Sequence, residues 1–532
     1  PGGVGGSGGS GATAGFGRTT REDQDQRNPG FHDQPPALPA KSCVGGQKVR
    51  HPGDRFNGIV GTVPIWTPRI DPQAKDPVYR QIVQALADDI ALGRVAGGER
   101  LPPHRDLADA LSVARGTVAR AYAEAEKLGL VAGDVGRGTF VISPDTAAPR
   151  YATLLEPPTV FNDLTTNHPL TGIDPDPADA LRELASRPDR RALLRYQSNL
   201  GTRRHRLVGV QWARRFGVVA APENVLVCSG AQHALFVTLA HLVEPGDGVL
   251  VEEWSYPGLF GIAKTLKIRL IPVAMDDDGL CPDHLESHAA RHRARVLYLM
   301  PTVHNPMGTV LSEARRRRIA RIARKHDLSI IEDSAHQLLT PDPPPALRDF
   351  APERSYFVAS TSKVLCAGLR VAFLVCPPGR LAAVAEHLWA TQWMVGPLGP
   401  EIVAIWLEQG VADLTLSRKR REAAYRQRLA RQVLGAHPIR GNPHALHLWL
   451  ELPRPWQADR FVARALKERL GVTPASAFWM RTCPPKDAIR IALGGVDERK
   501  TLRRELGRLA TLLSSAPGSD QERLRKGIDP AV

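Results

Sequence analysis

Between residues 225 and 358, short and almost uninterrupted apolar runs alternate with amphipathic stretches. The runs are Val225-Leu226-Val227-Cys228, Gly248-Val249-Leu250-Val251, Arg295-Val296-Leu297-Tyr298-Leu299, Leu328-Ser329-Ile330-Ile331 and Ser355-Tyr356-Phe357-Val358. A strand that is apolar on both sides must be covered on both faces. Repeated strand-then-helix order satisfies this with a largely parallel sheet flanked by helices. Glu313 to Lys325 reads as one such helix. From about Pro397 longer helices mix with short strands, as in a smaller α+β subdomain. The predicted fold is therefore α/β, a large α/β domain followed by a small α+β one. In open sheets of this kind ligands sit beyond the carboxyl ends of the strands.

Chemistry-bearing residues stand at those ends. Ser229-Gly230-Ala231 follows the first run and opens a helix, a nest of N–H groups suited to phosphate. Tyr256 follows the second, and Asn305-Pro306-x-Gly308 the third. Asp333 follows the fourth. Ser360-Thr361-Ser362-Lys363 follows the fifth, with Arg370 seven residues on. Pyridoxal 5'-phosphate (PLP) chemistry needs a lysine to anchor it, a carboxylate on the pyridine nitrogen and a donor to the ring hydroxyl. It also needs a phosphate nest and a flat cover for the ring. Lys363, Asp333, Asn305, the 229–231 turn with Ser360 and Arg370, and Tyr256 answer these in turn. Taken alone, Ser-x-x-Lys also marks penicillin-binding serine nucleophiles, but no Lys-Thr-Gly partner follows downstream.

The order resembles the fold-type I aminotransferases of class I/II over roughly Asn162 to Leu513. The resemblance implies that Lys363 carries an internal aldimine, that Asp333 pairs the pyridinium and that Asn305 bonds the ring oxygen. It implies that Arg490, in Ile489-Arg490-Ile491-Ala492-Leu493, binds a substrate α-carboxylate. It also implies a homodimer in which Tyr196 reaches the neighbouring subunit's phosphate. The family's tyrosine just after the pyridinium aspartate is absent; Ser334-Ala335-His336 stands there. Either His336 substitutes or that hydrogen bond is missing.

A second pattern lies upstream. Tyr79, Ile82, Val83, Leu86 and Ile90 share one helix face. After Pro102-Pro103 a short helix from about His104 to Leu111 is expected, then a turn at Ser112-Val113-Ala114 and a second helix from Arg115 to about Leu128. Two short strands flank Gly133-Asp134-Val135-Gly136-Arg137, which reads as a β-wing tip. In a helix-turn-helix the start of the second helix enters the major groove. Arg115, Thr117 and Arg120 are the candidate readers there, with Arg105 and Arg137 as flanking contacts. The segment resembles the GntR-type winged helix over Asp76 to Val141, through Leu101-Pro102, Arg115 with Thr117-Val118, Ala121-Tyr122, Leu128-Gly129-Leu130 and Gly136-x-Gly138-Thr139-Phe140-Val141. Ala114 stands where that family usually has a capping Ser, which weakens the helix start.

These two patterns divide the 532 residues into a Gly/Pro-rich tail (1–70), a winged helix-turn-helix (71–143), a Pro/Ala-rich linker (144–161), the PLP-binding domain (162–514) and a flexible tail (515–532). Nine of the first seventeen residues are Gly, so the first tail is expected to be disordered. The formal charge of +15 is not where DNA binding would put it. Asp76 to Val141 holds eight Lys/Arg against nine Asp/Glu. The excess lies at Arg187–Arg215, Arg291–Lys325 and Arg418–Arg431, which read as solvated helix faces. The six cysteines have neither metal-site nor disulfide spacing, and no apolar run is of membrane-spanning length. No metal is expected, and the chain reads as cytoplasmic.

A GntR-type winged helix, a linker and an aminotransferase-like domain, in that order, resemble the MocR/GabR family of bacterial regulators. The resemblance implies a transcription factor acting on a double-stranded operator with paired half-sites. Its PLP domain would sense an amino compound, or PLP itself, by aldimine exchange at Lys363. The alternative is a working aminotransferase with an appended DNA-binding module. A weaker third reading leaves the PLP domain a dimerisation role alone.

Overall fold

The structure is a computed structural model that describes residues 66–71, 76–91, 94–95, 99–127, 130–134, 138–141, 162–480 and 486–515. Residues 135–137 of the expected wing tip, Arg137 among them, the linker, and all but a few residues of both expected tails lie outside the described residues, whereas Gly133 and Asp134, expected in the tip, belong to a strand. Among the described residues no helix is long and apolar enough to cross a membrane.

Three helices open the described chain: α1 (Val78–Ala91), α2 (His104–Leu111) and α3 (Arg115–Lys127). Each buries one stripe, Ile82, Val83 and Leu86 from α1, Leu107 and Ala108 from α2, and Val118, Ala121, Tyr122 and Ala125 from α3. Ser112 takes a left-handed conformation and ends α2, so the turn is only three residues long. The buried Tyr122 hydroxyl donates to the Pro102 carbonyl at 2.9 Å, tying α3 to the Pro-Pro break. Strands β1 (Val131–Asp134) and β2 (Gly138–Val141) pair antiparallel, Val131 opposite Val141. A third segment was not foreseen: Leu101 N–H donates to Thr139 and Val141 N–H to Glu99, widening the wing sheet.

The large domain is a seven-stranded sheet of β3 (Val225–Cys228), β4 (Gly248–Glu252), β5 (Arg269–Val273), β6 (Val296–Leu299), β7 (Ser329–Asp333), β8 (Ser355–Ser360) and β9 (Ala372–Val375). Their spatial order is β3-β9-β8-β7-β6-β4-β5. All run parallel except β9, which is antiparallel to both neighbours. The five runs read from sequence are all strands. The two additions have physical reasons for being less visible. β5 carries Pro272, which a sheet tolerates at its edge, and β5 is the edge strand. β9 returns directly after the Lys363 loop, without the helix that signals a parallel crossover.

Alternate residues of each strand enter different cores. Val225 and Val227 pack with Trp212 and Phe373 on one face, while Leu226 and Cys228 pack with Ala234 and Leu235 on the other. The small subdomain has a four-stranded antiparallel sheet: β10 (Ile439–Arg440), β11 (His447–Glu451), β12 (Thr473–Pro474) and β13 (Ala488–Ala492). The long helix Val411–Leu434 and the helices Ala458–Lys467 and Arg499–Ser514 cover it through Leu429, Phe461 and Leu502. Asn162–Asp163 pairs with Leu470–Gly471, so the first described residues of this domain join the small subdomain.

Helix Arg203–Arg214 lies so close to the sheet that a Cβ at Gly209 would come within 2.6 Å of Phe373 and Val225. Gly209→Ala should therefore destabilise the domain by about 1–3 kcal/mol through overpacking, against the ~1 kcal/mol that Ala gains in an exposed helix. Denaturant unfolding checks this, and a midpoint raised by the substitution would contradict the packing.

Candidate functional site

The carboxyl ends of β3, β4, β6, β7 and β8 meet the small subdomain around a cavity of about 300 Å³. Ala231, Tyr256, Asn305, Asp333, His336, Ser360, Lys363, Arg370 and Arg490 line it, brought together as the sequence predicts.

Asp333 is the last residue of β7 and is buried. Its carboxylate accepts from the Tyr298 hydroxyl at 2.9 Å and from the Ala335 N–H at 3.0 Å. Tyr298 reaches it because β6 and β7 pair in parallel with Tyr298 opposite Ile331. Burial still pushes the Asp333 carboxyl above the usual carboxylate range, despite these donors and the charge on Lys363. The Lys363 ammonium donates to the Asn167 carbonyl. Burial, with the charges of Arg490 and Lys419, pushes it down to about 8.

Arg490 extends from β13 and is buried. Its guanidinium donates to Asn305 Oδ1 at 3.2 Å, to Thr473 Oγ1 at 3.3 Å and to the Thr165 carbonyl, and lies 4.7 Å from the centre of the Phe478 ring. All three acceptors are neutral, and Arg490 Nε is buried without a partner among the described residues. Burial pushes the group down to about 10. A guanidinium in this position suits an anion from outside the protein.

At the opposite end, Gly230 (φ 84°) caps the helix Ala231–Leu242. A Cβ on Gly230 would come within 2.5 Å of Arg370 Nη2, so the helix N-terminus and the Arg370 fork share one space. Ser229 and Gly230 directly precede Ala231 in the chain but are not themselves part of the cavity lining. Ser229 Oγ donates to Gln392 at 2.8 Å, and Ser360 Oγ accepts from Ser362 N–H at 3.3 Å. Tyr256 covers one side, its hydroxyl pushed up to about 12 by burial.

His336 packs edge-on against His447, ring centres 5.4 Å apart. Burial holds both imidazoles neutral, His447 at about 3 and His336 well below its usual value. His447 Nε2 faces the His304 carbonyl at 3.1 Å and Nδ1 faces Asn167 Nδ2 at 3.0 Å, which puts the proton on Nε2. His336 Nδ1 has no partner among the described residues. Thr166, Asn167, Thr473 and Phe478 also line the cavity and were not foreseen. They come from segments far from the strand-end motifs in sequence, and no local pattern marks them. Tyr196 stands apart from the cavity, 83% exposed, its ring 5.6 Å from Trp393.

In the winged helix, Arg105 and Arg115 are exposed. Arg105 sits 3.9 Å from Asp109. Thr117 is half-buried at the start of α3. Arg120 stacks on the Tyr79 ring at 4.1 Å, which ties α3 to α1 as well as facing solvent. Sequence reasoning assigned Arg120 a DNA role alone.

Residues 160–505 match the aminotransferase class I and II family, and residues 78–141 match the bacterial regulatory proteins of the gntR family. The uncharacterized HTH-type transcriptional regulator YdeF of Bacillus subtilis is 29% identical over 80% of this chain and 92% of its own length. The probable rhizopine catabolism regulatory protein MocR of Rhizobium meliloti is 26% identical over 83% of this chain and 94% of its own. Among solved structures, LysN, the α-aminoadipate aminotransferase of Thermus thermophilus complexed with N-(5'-phosphopyridoxyl)-L-leucine, aligns with a TM-score of 0.62. It is 25% identical over 69% of this chain and 95% of its own. The chain belongs to the aminotransferase class I and II family and, with a gntR-type winged helix ahead of that domain, to the MocR-type HTH transcriptional regulators.

Proposed function

We propose that this DNA-binding regulator holds PLP at Lys363 and responds to an amino compound carrying an acid group. The observation that carries the reading is the cavity's unbalanced burial of charge. Asp333 and Arg490 are desolvated without an ionic partner within hydrogen-bonding distance among the described residues, and Lys363 shares the lining with them. His336 Nδ1 and Arg490 Nε, without partners among the described residues, and the Gly230 turn that a Cβ would fill, fit a bound group of PLP's polarity. When bound, PLP supplies a carbonyl reactive to primary amines and an electron-withdrawing pyridinium.

On this reading Asp333 keeps a proton at the pyridine nitrogen, and the Tyr298 hydroxyl orients that carboxylate. Asn305 holds the ring oxygen, His336 stands beside it, and Tyr256 covers the ring. The N–H groups at Ser229, Gly230 and Ala231, with Ser360 and Arg370, hold the phosphate. Arg490 holds the acid group of the effector through its planar fork. Arg115 and Thr117 read base edges, and Arg105 and Arg120 meet phosphates. Leu194, Tyr196, Trp389, Trp393 and Leu398 are exposed large apolar side chains, which suits a homodimer whose Tyr196 reaches the partner subunit's phosphate site. Two heads then demand paired half-sites. Residues 71–143 and 162–514 are the proposed DNA-binding and PLP-binding units. A second reading, a working aminotransferase, draws support from Lys363 itself. A value of about 8 suits a general acid/base near neutral pH. Steady turnover with a keto acid distinguishes it from an effector that is bound and retained.

Lys363 provides the first test. A lysine lowered to about 8 is a free amine at lower pH than an ordinary one. The rate of PLP uptake by apoprotein should therefore rise as pH passes about 8, not near the usual lysine value. Borohydride should then fix the label on the Lys363 peptide, and Lys363→Ala should abolish it. A label on another lysine would refute the anchor.

Arg490 sets the effector class. Arg490→Ala should weaken a carboxylate-bearing effector by ~2–5 kcal/mol and leave PLP loading nearly intact. Spectral titration with amino acids checks this, and an unchanged response moves the acid site elsewhere.

For the winged helix, Arg115→Ala should relax base specificity by ~1–3 kcal/mol, whereas Arg105→Ala should lower the salt slope of binding by about 1. Anisotropy on the genomic fragments that the purified protein retains measures both. Full binding by an Arg115→Ala/Arg120→Ala variant would remove α3 as the reader.

A further inference from the structure

The three basic runs of the aminotransferase-like domain differ in what their charges meet. In the first, Arg187, Arg204 and Arg215 pair with Glu401, Glu408 and Asp413 at 2.6–2.8 Å. In the second, Arg315, Arg317, Arg318, Arg324 and Lys325 pair with Asp276, Glu313, Asp283, Glu353 and Glu286. These cations are neutralised by neighbouring carboxylates, although Arg203 and Arg214 of the first run and Arg291 and Arg321 of the second have no carboxylate within ion-pair distance among the described residues. The third run, on the helix Val411–Leu434, is different. Between Arg418 and Arg431 stand seven basic residues and one acid, Glu422. Glu422 is taken by Arg426 at 2.9 Å and by Arg499. Lys419 turns inward to Asp174, and Arg431 donates to the Gly441 carbonyl at 2.7 Å. Arg420 donates to a backbone carbonyl, that of Leu338, at 2.7 Å. Among the described residues, Arg418, Arg420, Arg421 and Arg428 have no carboxylate within ion-pair distance.

Three of these four converge. Arg420, Arg421 and Arg428 line one open cleft with Ser417, Tyr425 and His444, and His444 Nδ1 is buried there without a partner among the described residues. Ser417, Arg421, Ala424 and Arg428 follow one another at helical spacing along a single face. That stripe is about 16 Å long at 1.5 Å per residue. A duplex presents one phosphate charge per roughly 1.7 Å of its axis, so a stripe of this length faces several.

We infer that the Arg418–Arg428 face of the aminotransferase-like domain is a second DNA contact, gripping the phosphate backbone outside the sites read by the winged helices. The inference rests on DNA binding by the winged helix. The charge distribution favours it: the winged-helix segment has no net positive charge of its own, while on this face three arginines without a carboxylate partner among the described residues converge on one cleft. Arginine is also the residue whose fork matches phosphate oxygens, and non-specific affinity for DNA comes from such contacts.

The test compares two double variants of the full-length, PLP-loaded protein on a mixed-sequence linear duplex. One is Arg421→Gln/Arg428→Gln. The other, Arg317→Gln/Arg318→Gln, removes the same charge from two arginines paired with carboxylates. Both change surface side chains, and equal thermal midpoints confirm equal folding. Plotting log affinity against log salt, the first variant should lose about 1.8 from the slope, at ~0.9 per phosphate contact, and the second almost nothing. Equal slopes in wild type and the first variant would overturn the inference, as would equal losses in both variants. Pyrophosphate that raises the thermal midpoint of wild type but not of the first variant, with the DNA slope unchanged, would assign the cleft to a small polyanion instead. Loss of all DNA binding in Arg115→Ala/Arg120→Ala, with the stripe intact, would locate a failure in the winged helix and not in this face.

Discussion

The common direction of β3, β8, β7, β6 and β4 brings Cys228, Ser360, Asp333, Leu299 and Glu252 to one edge of the sheet, and the cavity follows from that constraint. No single strand end could assemble it. The nest at 229–231, the ring cover at Tyr256, the amide of Asn305, the carboxylate of Asp333 and the amine of Lys363 lie far apart in sequence. They share one space because each follows the strand that holds it. Two apolar faces buried under helices fix the sheet, so the positions of these groups are set by packing and not by loop preference.

Within that space the charges are poorly neutralised by the protein. Lys363, Arg370 and Arg490 face the cavity with Asp333 as the ionisable carboxylate opposing them. Burial disfavours every one of the desolvated ions: Asp333 rises, while Lys363 falls to about 8 and Arg490 to about 10. A ligand with a cationic ring nitrogen, a phosphate and a carboxylate offsets those costs at three separate points. The neutral, tautomerically fixed His447 and the neutral His336 add polarity without adding to the positive excess.

Strand-end chemistry was legible in the sequence because each residue is coupled to a local, strongly patterned signal. An apolar run sets the strand, and the site residue stands within six positions of its end. The groups that escaped have no such signal. Tyr298 reads as one more apolar strand position, yet its register opposite Ile331 brings its hydroxyl to Asp333. Asn167 meets Lys363 across 196 positions, and Thr473 meets Arg490 through pairing of the small sheet. Arg120 was readable as a DNA contact, but its stacking on Tyr79 depends on how α1 crosses α3. Tyr196 remains a matter of the family resemblance, because its surroundings within one chain are solvent and Trp393.

The helix Val411–Leu434 is the element through which cavity and proposed DNA surface can communicate. Lys419 lies buried between them: its ammonium donates to the Leu365 carbonyl, two residues from Lys363, at 3.2 Å. Its charge also contributes to lowering Lys363. Eight residues further along, Gln427 donates to the carbonyls of Ala445 and His447 at 2.8 and 2.9 Å, and His447 packs on His336 in the cavity wall. Arg421 and Arg428 sit on the solvent side of this same rod. Any ligand that draws Arg490 of the small subdomain toward Lys363 and Asp333 of the large one must load those bonds. The physical requirement for allostery is an element whose position both sites bias, and on the proposed assignments this helix is one that touches both.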